Sequence, residues 1–524
     1  MSINCIRTLL EAAVQTHGDK VAVVFNDQSL TYNELFSKVN QVACYLTELD
    51  FPKNARIGVY SNKGIEQVIA ILAIMSTDYV LVPLTKLLKP EQVEYIINDC
   101  DIRCIVTDRL KLESIEEIDF DGHVISYESA GKDVASFDEI YKYYNKPYDC
   151  DINGHSNAVI TYSFGLTGTP KGIVISHRNL IDSARVVSQY LKLEEDDIIS
   201  GLLIFNLDYG LNQIFCSLYK KATLALHRFI LPDDFFNHLI DDKVTVLPLM
   251  PVNISQMFDE DLQRIPSAEL FDSVKTITSS GGNVTAKMIS DCKRTFRNAN
   301  FFSMHGLTEA FRSTYLDPSQ VEIRPRSIGK PIPDVELYVI NDDGKECAPR
   351  EVGELIHRGG YIYRGFWNAP KENAERFKSV EILKDVVNLE GQLTDEIVVA
   401  SGDYVYKDEE GYFYFVSRHD DMIKTRGFRV SPYEVESVVG ENIPQIEQCA
   451  VFGIANEQIE EEIVMVYSAP AEIPQEEIIF ELKKHLASYM IPGRVVYKKS
   501  LPLVQSDKNR INKDELKREL TAVS

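Results

Sequence analysis

AVITYSFGLTGTPKGIVISHRNL, residues 158–180, decides the reading of this chain. It opens on an apolar run, Ala158–Ser163, that reads as a buried strand. The strand runs directly into a segment rich in glycine and hydroxyl residues: Ser163, Gly165, Thr167, Gly168, Thr169, Pro170, Lys171 and Gly172. Glycines let a backbone approach phosphate oxygens with no Cβ in the way. Hydroxyls add donors, and Lys171 adds a compact positive charge. The Gly-Lys-Ser/Thr that opens a helix in P-loop nucleotide hydrolases is missing. Here Pro170 precedes the lysine and Gly172 follows it, so the segment reads as an independent phosphate-binding loop. The plain alternative is an ordinary glycine-rich turn.

Around this segment, the first 300 residues alternate short apolar runs with stretches of helical period. Arg56–Tyr60, Tyr79–Pro83, Ile102–Thr107, Ala158–Ser163, Ile198–Leu203, Val244–Pro248, Val274–Ser279 and Asn300–Met304 read as strands. Leu180, Ala184, Val187 and Leu191 make one helix face. Strand, helix, strand at this spacing implies βαβ units and parallel sheets. After about Pro325 the rhythm changes. VELYVINDDGKECAP places an Asp-Gly turn between apolar runs, which predicts antiparallel, barrel-like structure. The last ~100 residues are mixed again. A helix face at Ile478, Leu482, Leu486 and Tyr489 is expected to run to Pro492, which cannot continue it.

Composition bounds the rest. The 524 residues suggest about three structural units. There are 55 Lys plus Arg against 79 Asp plus Glu, a formal charge of −24. That field repels nucleic acid and anionic lipid, so neither is an expected partner. An anionic ligand must be held by local donors, as amides, a lysine and a metal ion hold a nucleotide. Nine dispersed cysteines read as reduced thiols. No secretory signal and no stretch near the ~20 apolar residues of a membrane helix is evident, so a cytoplasmic protein with no membrane insertion is expected.

The ordered motifs resemble the adenylate-forming superfamily of acyl-CoA synthetases, peptide-synthetase adenylation domains and luciferase. The family's phosphate loop reads Ser/Thr-Ser-Gly-Thr/Ser-Thr-Gly-x-Pro-Lys-Gly; here Phe164 and Leu166 replace two small polar residues, leaving fewer hydroxyls. SLTYNEL (29–35), TDYVLVPL (77–84), SSGGNV (279–284), HGLTEA (305–310), GELIHRGGYIYRGFWN (353–368), SGDY (401–404) and SRHDDMIKTRGFRVSPYEVE (417–436) resemble further family motifs in family order. GLTEAFRSTYL together with DDMIKTRGFRVSPYEVE is most similar to bacterial AMP-forming acyl-CoA ligases of exopolysaccharide and exosortase clusters.

The resemblance implies an α/β fold. A large N-terminal AMP-binding and substrate domain, 1–419, would contain βαβ sheets and a distorted β-barrel. A small, mobile α+β domain, 420–524, would follow on a hinge at Asp420. It also implies ATP and Mg²⁺, with Thr308 on the α-phosphate and Thr167 and Glu309 at the metal. Gly281, Gly282, His305 and Gly306 would meet adenine, although His305 also reads as a core histidine. Asp403 would accept both ribose hydroxyls, or be a plain turn aspartate, and Arg418 would reach the ribose or a phosphate. Met304 and Asp208 would line the acyl pocket, and Gly427 the thiol channel. Asp208 aligns with the aspartate that pairs an α-ammonium in amino-acid-activating relatives, so it either meets a cation or points to a group such as a backbone amide. The family's last motif carries a catalytic lysine. In SDKNRINKDEL an ungapped count back from Leu516 puts Arg510 there, while Lys508 needs a two-residue slip in a loop.

The implied activity is conversion of a carboxylic acid to acyl-AMP, then transfer to a thiol of CoA or of an acyl carrier protein. Amino-acid activation for a carrier protein is one alternative. A nucleotide-binding regulator that has lost adenylation is another, suggested by the altered loop, His305 and the irregular last motif.

Overall fold

The computed structural model describes residues 3–86, 88, 90–118, 120–129, 134–144, 152–164, 170–258, 265–389, 395–418, 421–425, 428–456, 460–504 and 507–522. They fall into two compact units. The first comprises Met1–Leu337, His357–Val380 and Leu393–Val399; the second comprises Tyr338–Ile356, Glu381–Gln392 and Ala400–Ser524.

The first unit is α/β and contains two sheets. In one, the strands follow the order Ser327–Pro331, Thr314–Leu316, Asn300–His305, Thr276–Ser279, Val246–Leu249, Ile198–Gly201, Thr223–Leu226, Val21–Phe25, Gln28–Thr31. From Asn300–His305 to Val21–Phe25 neighbouring strands are parallel, and antiparallel strands flank that run on both sides. The other sheet runs Ala135–Ser136, His123–Ser126, Ile102–Thr107, Arg56–Tyr60, Val80–Leu84, Asn157–Phe164, Pro170–Ser176. All its pairs are parallel but the last. The expected strands are therefore present, most with ends within two residues of the reading.

Local signals explain several boundaries. Thr31 caps the Tyr32–Glu48 helix and Glu34 reaches back to the Thr31 amide, a reciprocal capping box. Tyr32 of the same motif is fully buried and donates to the Ser217 and Ala222 carbonyls. Ser176 and Asn179 make the equivalent box at the His177–Tyr190 helix, whose buried face includes Leu180, Ala184 and Val187.

One side chain ties the two sheets. Lys63 follows the Arg56–Tyr60 strand, yet its Nζ donates to the carbonyls of Gly201, Leu202 and Leu203 at 2.5, 2.5 and 2.7 Å. These lie at the C-terminal end of the Ile198–Gly201 strand in the other sheet. Burial pushes the Lys63 pKa well below the ordinary lysine value, and Lys86 and Arg228 add to the effect. Lys63→Met takes the ammonium donors away from three buried carbonyls, of which that of Gly201 keeps a further partner, the His227 amide. It is expected to lower unfolding free energy by about 2–4 kcal/mol, seen as a lower urea midpoint.

The second unit carries antiparallel strands, Ile397–Lys407 against Phe413–Arg418, with Asp403 opposite Arg418. Its C-terminal part is α+β. Phe428–Val430, Ile423–Thr425, Glu460–Ser468 and Gln448–Asn456 form a sheet in that order, and Arg494–Tyr497 adds to Glu460–Ser468 in parallel. Val435, Val439, Ile478 and Leu482 from two helices fill its core with Ile463, Met465 and Tyr467.

Two local expectations are corrected. The helix expected to reach Pro492 spans only Gln475–Leu482. Beyond it the backbone bonds tighten to i−3, as in Lys484 to Glu481 and His485 to Leu482, and Tyr489 lies in a separate 3₁₀ turn. The segment of Lys508 and Arg510 is a strand, Asp507–Ile511, paired with Leu503–Val504, rather than a loop.

Every described cysteine is a free thiol. Among the described residues no helix is long and apolar enough to cross a membrane.

Candidate active site

In the first unit the parallel strands end on a common edge, where open α/β sheets place ligands. The Asn300–His305 strand delivers His305 and then turns through Gly306, Leu307 and Thr308 to Glu309. A Cβ on Gly306 would sit 2.4 Å from the Phe311 carbonyl oxygen, so only glycine fits the turn. Thr308 is half-buried and not in a helix. Glu309 is 5 % exposed, with its carboxylate 3.8 Å from Nε of Arg376. On the neighbouring strand end, Gly281 takes φ +83° and Gly282 packs on Pro251.

Lys171 is not in a loop. It lies on the Pro170–Ser176 strand, opposite Ser163 of Asn157–Phe164, so the phosphate-loop motif is an antiparallel hairpin. Its tip, with Gly165, Thr167, Gly168 and Thr169, lies outside the described residues, as does the Ser163 side chain. Lys171 Nζ is 2.6 Å from Oε1 of Glu372, and this ion pair holds the Glu372 carboxyl below the usual glutamate value. Glu372 and Arg376 sit one turn apart on the short helix Pro370–Arg376, so one element meets both Lys171 and Glu309. The sequence reading missed both residues. In PKENAER they look like an i, i+4 pair on a solvated helix.

Asp208 opens the Asp208–Lys220 helix. Its two carboxylate oxygens face different groups. Oδ1 accepts from the Tyr209 amide at 2.7 Å. Oδ2 lies 3.4 Å from the Tyr363 hydroxyl and 3.6 Å from a terminal nitrogen of Arg312. Burial raises the Asp208 pKa, and Arg312, the amide and the hydroxyl oppose that shift. Arg312 was not singled out by sequence, although it lies three residues past Glu309. Its guanidinium packs between the Tyr209 and Phe311 rings, each centroid 4.6 Å away. Met304 is buried beside it, with the Tyr190 hydroxyl 3.0 Å from its sulfur. Met304 and Arg312 both line a small, largely apolar cavity of about 30 Å³.

In the second unit Asp403 is 2 % exposed. Its Oδ1 accepts from Arg418 Nε at 3.1 Å, and its amide donates to Ser401 Oγ. Asn512, which aligns with the aspartate of the family's last motif, is the cap of the final helix: its Oδ1 accepts from the Glu515 amide at 3.1 Å. Lys513 is anchored to Glu436 at 2.7 Å. The side chains of Lys508 and Arg510, and Asp420 and Gly427 entirely, lie outside the described residues.

The Glu309 carboxylate suits a hard divalent cation, and Thr167, expected beside it, lies outside the described residues. Among the described residues no three His, Cys, Asp or Glu side chains converge to hold a metal.

Comparison with known proteins bears on the family and the fold. The chain is 24 % identical, over 96 % of its length, to tyrocidine synthase 1 of Brevibacillus parabrevis, and spans 44 % of that protein. It spans 43 % of gramicidin S synthase 1 of Brevibacillus brevis, at 25 % identity and again with 96 % of this chain. The chain thus covers less than half the length of these two relatives. Zwittermicin A synthase ZmaJ of Bacillus cereus is 26 % identical and is covered over 93 % of its length by 96 % of this chain. In structure, o-succinylbenzoate CoA synthetase of Bacillus subtilis, solved with its acyl-adenylate intermediate, superposes with a TM-score of 0.83 at 23 % identity and 97 % coverage of both chains. ATP-bound MatB of Rhodopseudomonas palustris superposes at 0.85 and 21 % identity, covering 99 % of this chain and all of MatB. The AMP-binding enzyme family matches residues 10–367, and its C-terminal domain matches 434–508. On that match, the chain belongs to the AMP-binding enzymes, the adenylate-forming superfamily.

Proposed function

We propose that the chain activates a carboxylic acid with ATP and passes the acyl group to a thiol. The observation that carries the reading is a pair of opposed charges, the Lys171 ammonium on one sheet and the buried Glu309 carboxylate just past a strand of the other, both met by the Pro370–Arg376 helix. An ammonium and a metal-binding carboxylate are what a magnesium triphosphate requires.

In the first step an acid carboxylate oxygen attacks the α-phosphorus, the bond to the bridging oxygen breaks, and pyrophosphate leaves. Lys171 binds phosphate oxygens after exchanging Glu372 for them. Thr308 contacts the α-phosphate, and Glu309, with Thr167, would hold Mg²⁺. The metal supplies positive charge against the leaving pyrophosphate. Gly281, Gly282, His305 and Gly306 line the base, and Asp403 with Arg418 takes the ribose. The chain's task is alignment and charge neutralisation. In the second step a thiol sulfur attacks the acyl carbon, its proton passes to solvent, and AMP leaves. Asp420 is the hinge between a 1–419 domain and a 420–524 domain, and Gly427 lines the thiol route.

CoA is the proposed thiol. Lys111 Nζ donates to the Lys86 carbonyl at 3.2 Å, and burial, Arg228 and Lys111 together lower the Lys86 pKa against the opposing Asp108. In a chain of −24 this cationic cluster suits the phosphates of CoA. The second reading, an amino acid passed to a carrier protein, draws support from the peptide-synthetase relatives. Against it, Asp208 already has Arg312 as its cation.

The test is ATP–pyrophosphate exchange over a panel of acids. Magnesium-dependent exchange with at least one simple acid is expected. Nucleotide binding with no exchange for any acid would overturn the reading in favour of a regulator.

A further inference from the structure

The cavity beside Met304 is lined by apolar side chains such as Val187, Ile199 and Val246, but two polar residues also face it, Gln213 and Arg312. Each is 4 % exposed. Gln213 uses its amide nitrogen on the Tyr209 carbonyl at 3.1 Å, yet its Oε1 has no hydrogen-bond partner. Arg312 spends one terminal nitrogen on the Phe311 carbonyl and Asp208, yet its Nε–H has no partner either. Other polar groups on the same wall are satisfied. Asn212 donates to Ser183 and accepts from Cys216, and the Tyr209 hydroxyl bonds Thr278.

A buried donor and a buried acceptor, both left open, are costly unless a water or a ligand group completes them, and a cavity of about 30 Å³ admits a group the size of a hydroxyl. Both are mounted on Tyr209. Gln213 bonds its backbone, and the Arg312 guanidinium lies on its ring. An alkyl or unsubstituted aryl chain would leave both unmade. An ammonium would face the guanidinium. A second carboxylate would satisfy Arg312 but face the lone pairs of Gln213 Oε1, and Arg312 already has Asp208 as its counter-charge. A hydroxyl donates to one and accepts from the other.

Building on the activity proposed above, we infer that the acid activated carries a hydroxyl on an otherwise apolar body, read by Gln213 Oε1 and Arg312 Nε. The hydroxyl is bound and not consumed, so the chemistry at the carboxylate is unchanged.

The test is calorimetric binding of matched acids in the presence of a non-hydrolysable ATP analogue. Butanoate, hexanoate and benzoate are compared with their mono-hydroxy counterparts. At least one hydroxy acid is expected to bind about thirtyfold or more tightly than its parent, as a site built to bond a hydroxyl rejects analogues without it. Gln213→Met, near-equal in volume but without the acceptor, should reduce that ratio to about threefold or less. Gln213→Glu keeps an acceptor and should preserve a preference, which guards against a folding defect in the first variant. Equal or tighter binding of every parent acid, no binding of any hydroxy acid, tighter binding of amino or dicarboxylic counterparts, or a ratio untouched by Gln213→Met would each overturn the inference. Binding preference is read without chemistry. A hydroxyl preference with no pyrophosphate exchange defeats only the proposed activity; exchange with no preference defeats only the pocket reading.

Discussion

Alanine at Arg510 or at Lys508, tested separately, is expected to split the two half-reactions. One of the two variants should lose acyl-AMP formation by roughly a hundredfold, ~3 kcal/mol of transition-state stabilisation, while still transferring acyl groups from synthetic acyl-AMP to a thiol. The segment is the strand Asp507–Ile511. Just past it the register is pinned twice, by the Asn512 cap on the Glu515 amide and by Lys513 on Glu436. Any two-residue slip that brings Lys508 to the catalytic position must therefore be absorbed inside a paired strand, which favours Arg510. A planar guanidinium is a poorer bridge than a compact ammonium between an acyl carboxylate and a phosphate oxygen, so a slower adenylation than in lysine-bearing relatives is also expected. Pyrophosphate exchange and single-step thiolation assays read the two halves. Normal adenylation by both variants would mean that no cation of this strand is catalytic.

Asp403→Ala is expected to weaken ATP binding about a hundredfold and to leave the chain folded. Two charge-assisted bonds to ribose hydroxyls, at ~1.5–3 kcal/mol each before losses, give an effect of that size. Asp403 is almost fully buried and Arg418 opposite it is 45 % exposed. The freed guanidinium can turn to water, so the change costs more in ligand binding than in stability. Calorimetry with ATP, alongside a thermal melt, separates the two. An unchanged affinity would remove Asp403 from the site.

Much of this was legible in the sequence. Apolar runs and their spacing place the parallel strands because burial on both faces leaves a continuous hydrophobic signature. The glycines at 281 and 306 signal backbone positions that other residues cannot take. What escaped is what depends on long-range contact. Glu372 lies 201 residues from Lys171, and nothing in PKENAER points to the hairpin it meets. Asp208 was legible as a carboxylate in need of a partner. Arg312, 104 residues later, could be matched to it only by the fold. The end of the Gln475–Leu482 helix was misread for a different reason. Apolar period alone does not distinguish an α-turn from the tighter turns that follow it.

The Pro370–Arg376 helix also sets which anions reach the site. Lys171 is already matched with a carboxylate that the chain itself supplies, and Glu309 lies near a guanidinium from the same helix. A monovalent anion from solution competes with a tethered one that enjoys a far higher local concentration, and it loses. A polyphosphate bearing its own cation would bring a partner for each side of the arrangement: Glu372 would yield Lys171 to phosphate, and Glu309 would hold the metal. On the proposed function, the short helix would act as a sieve for valence, closed to chloride and open to a nucleotide that arrives with its metal.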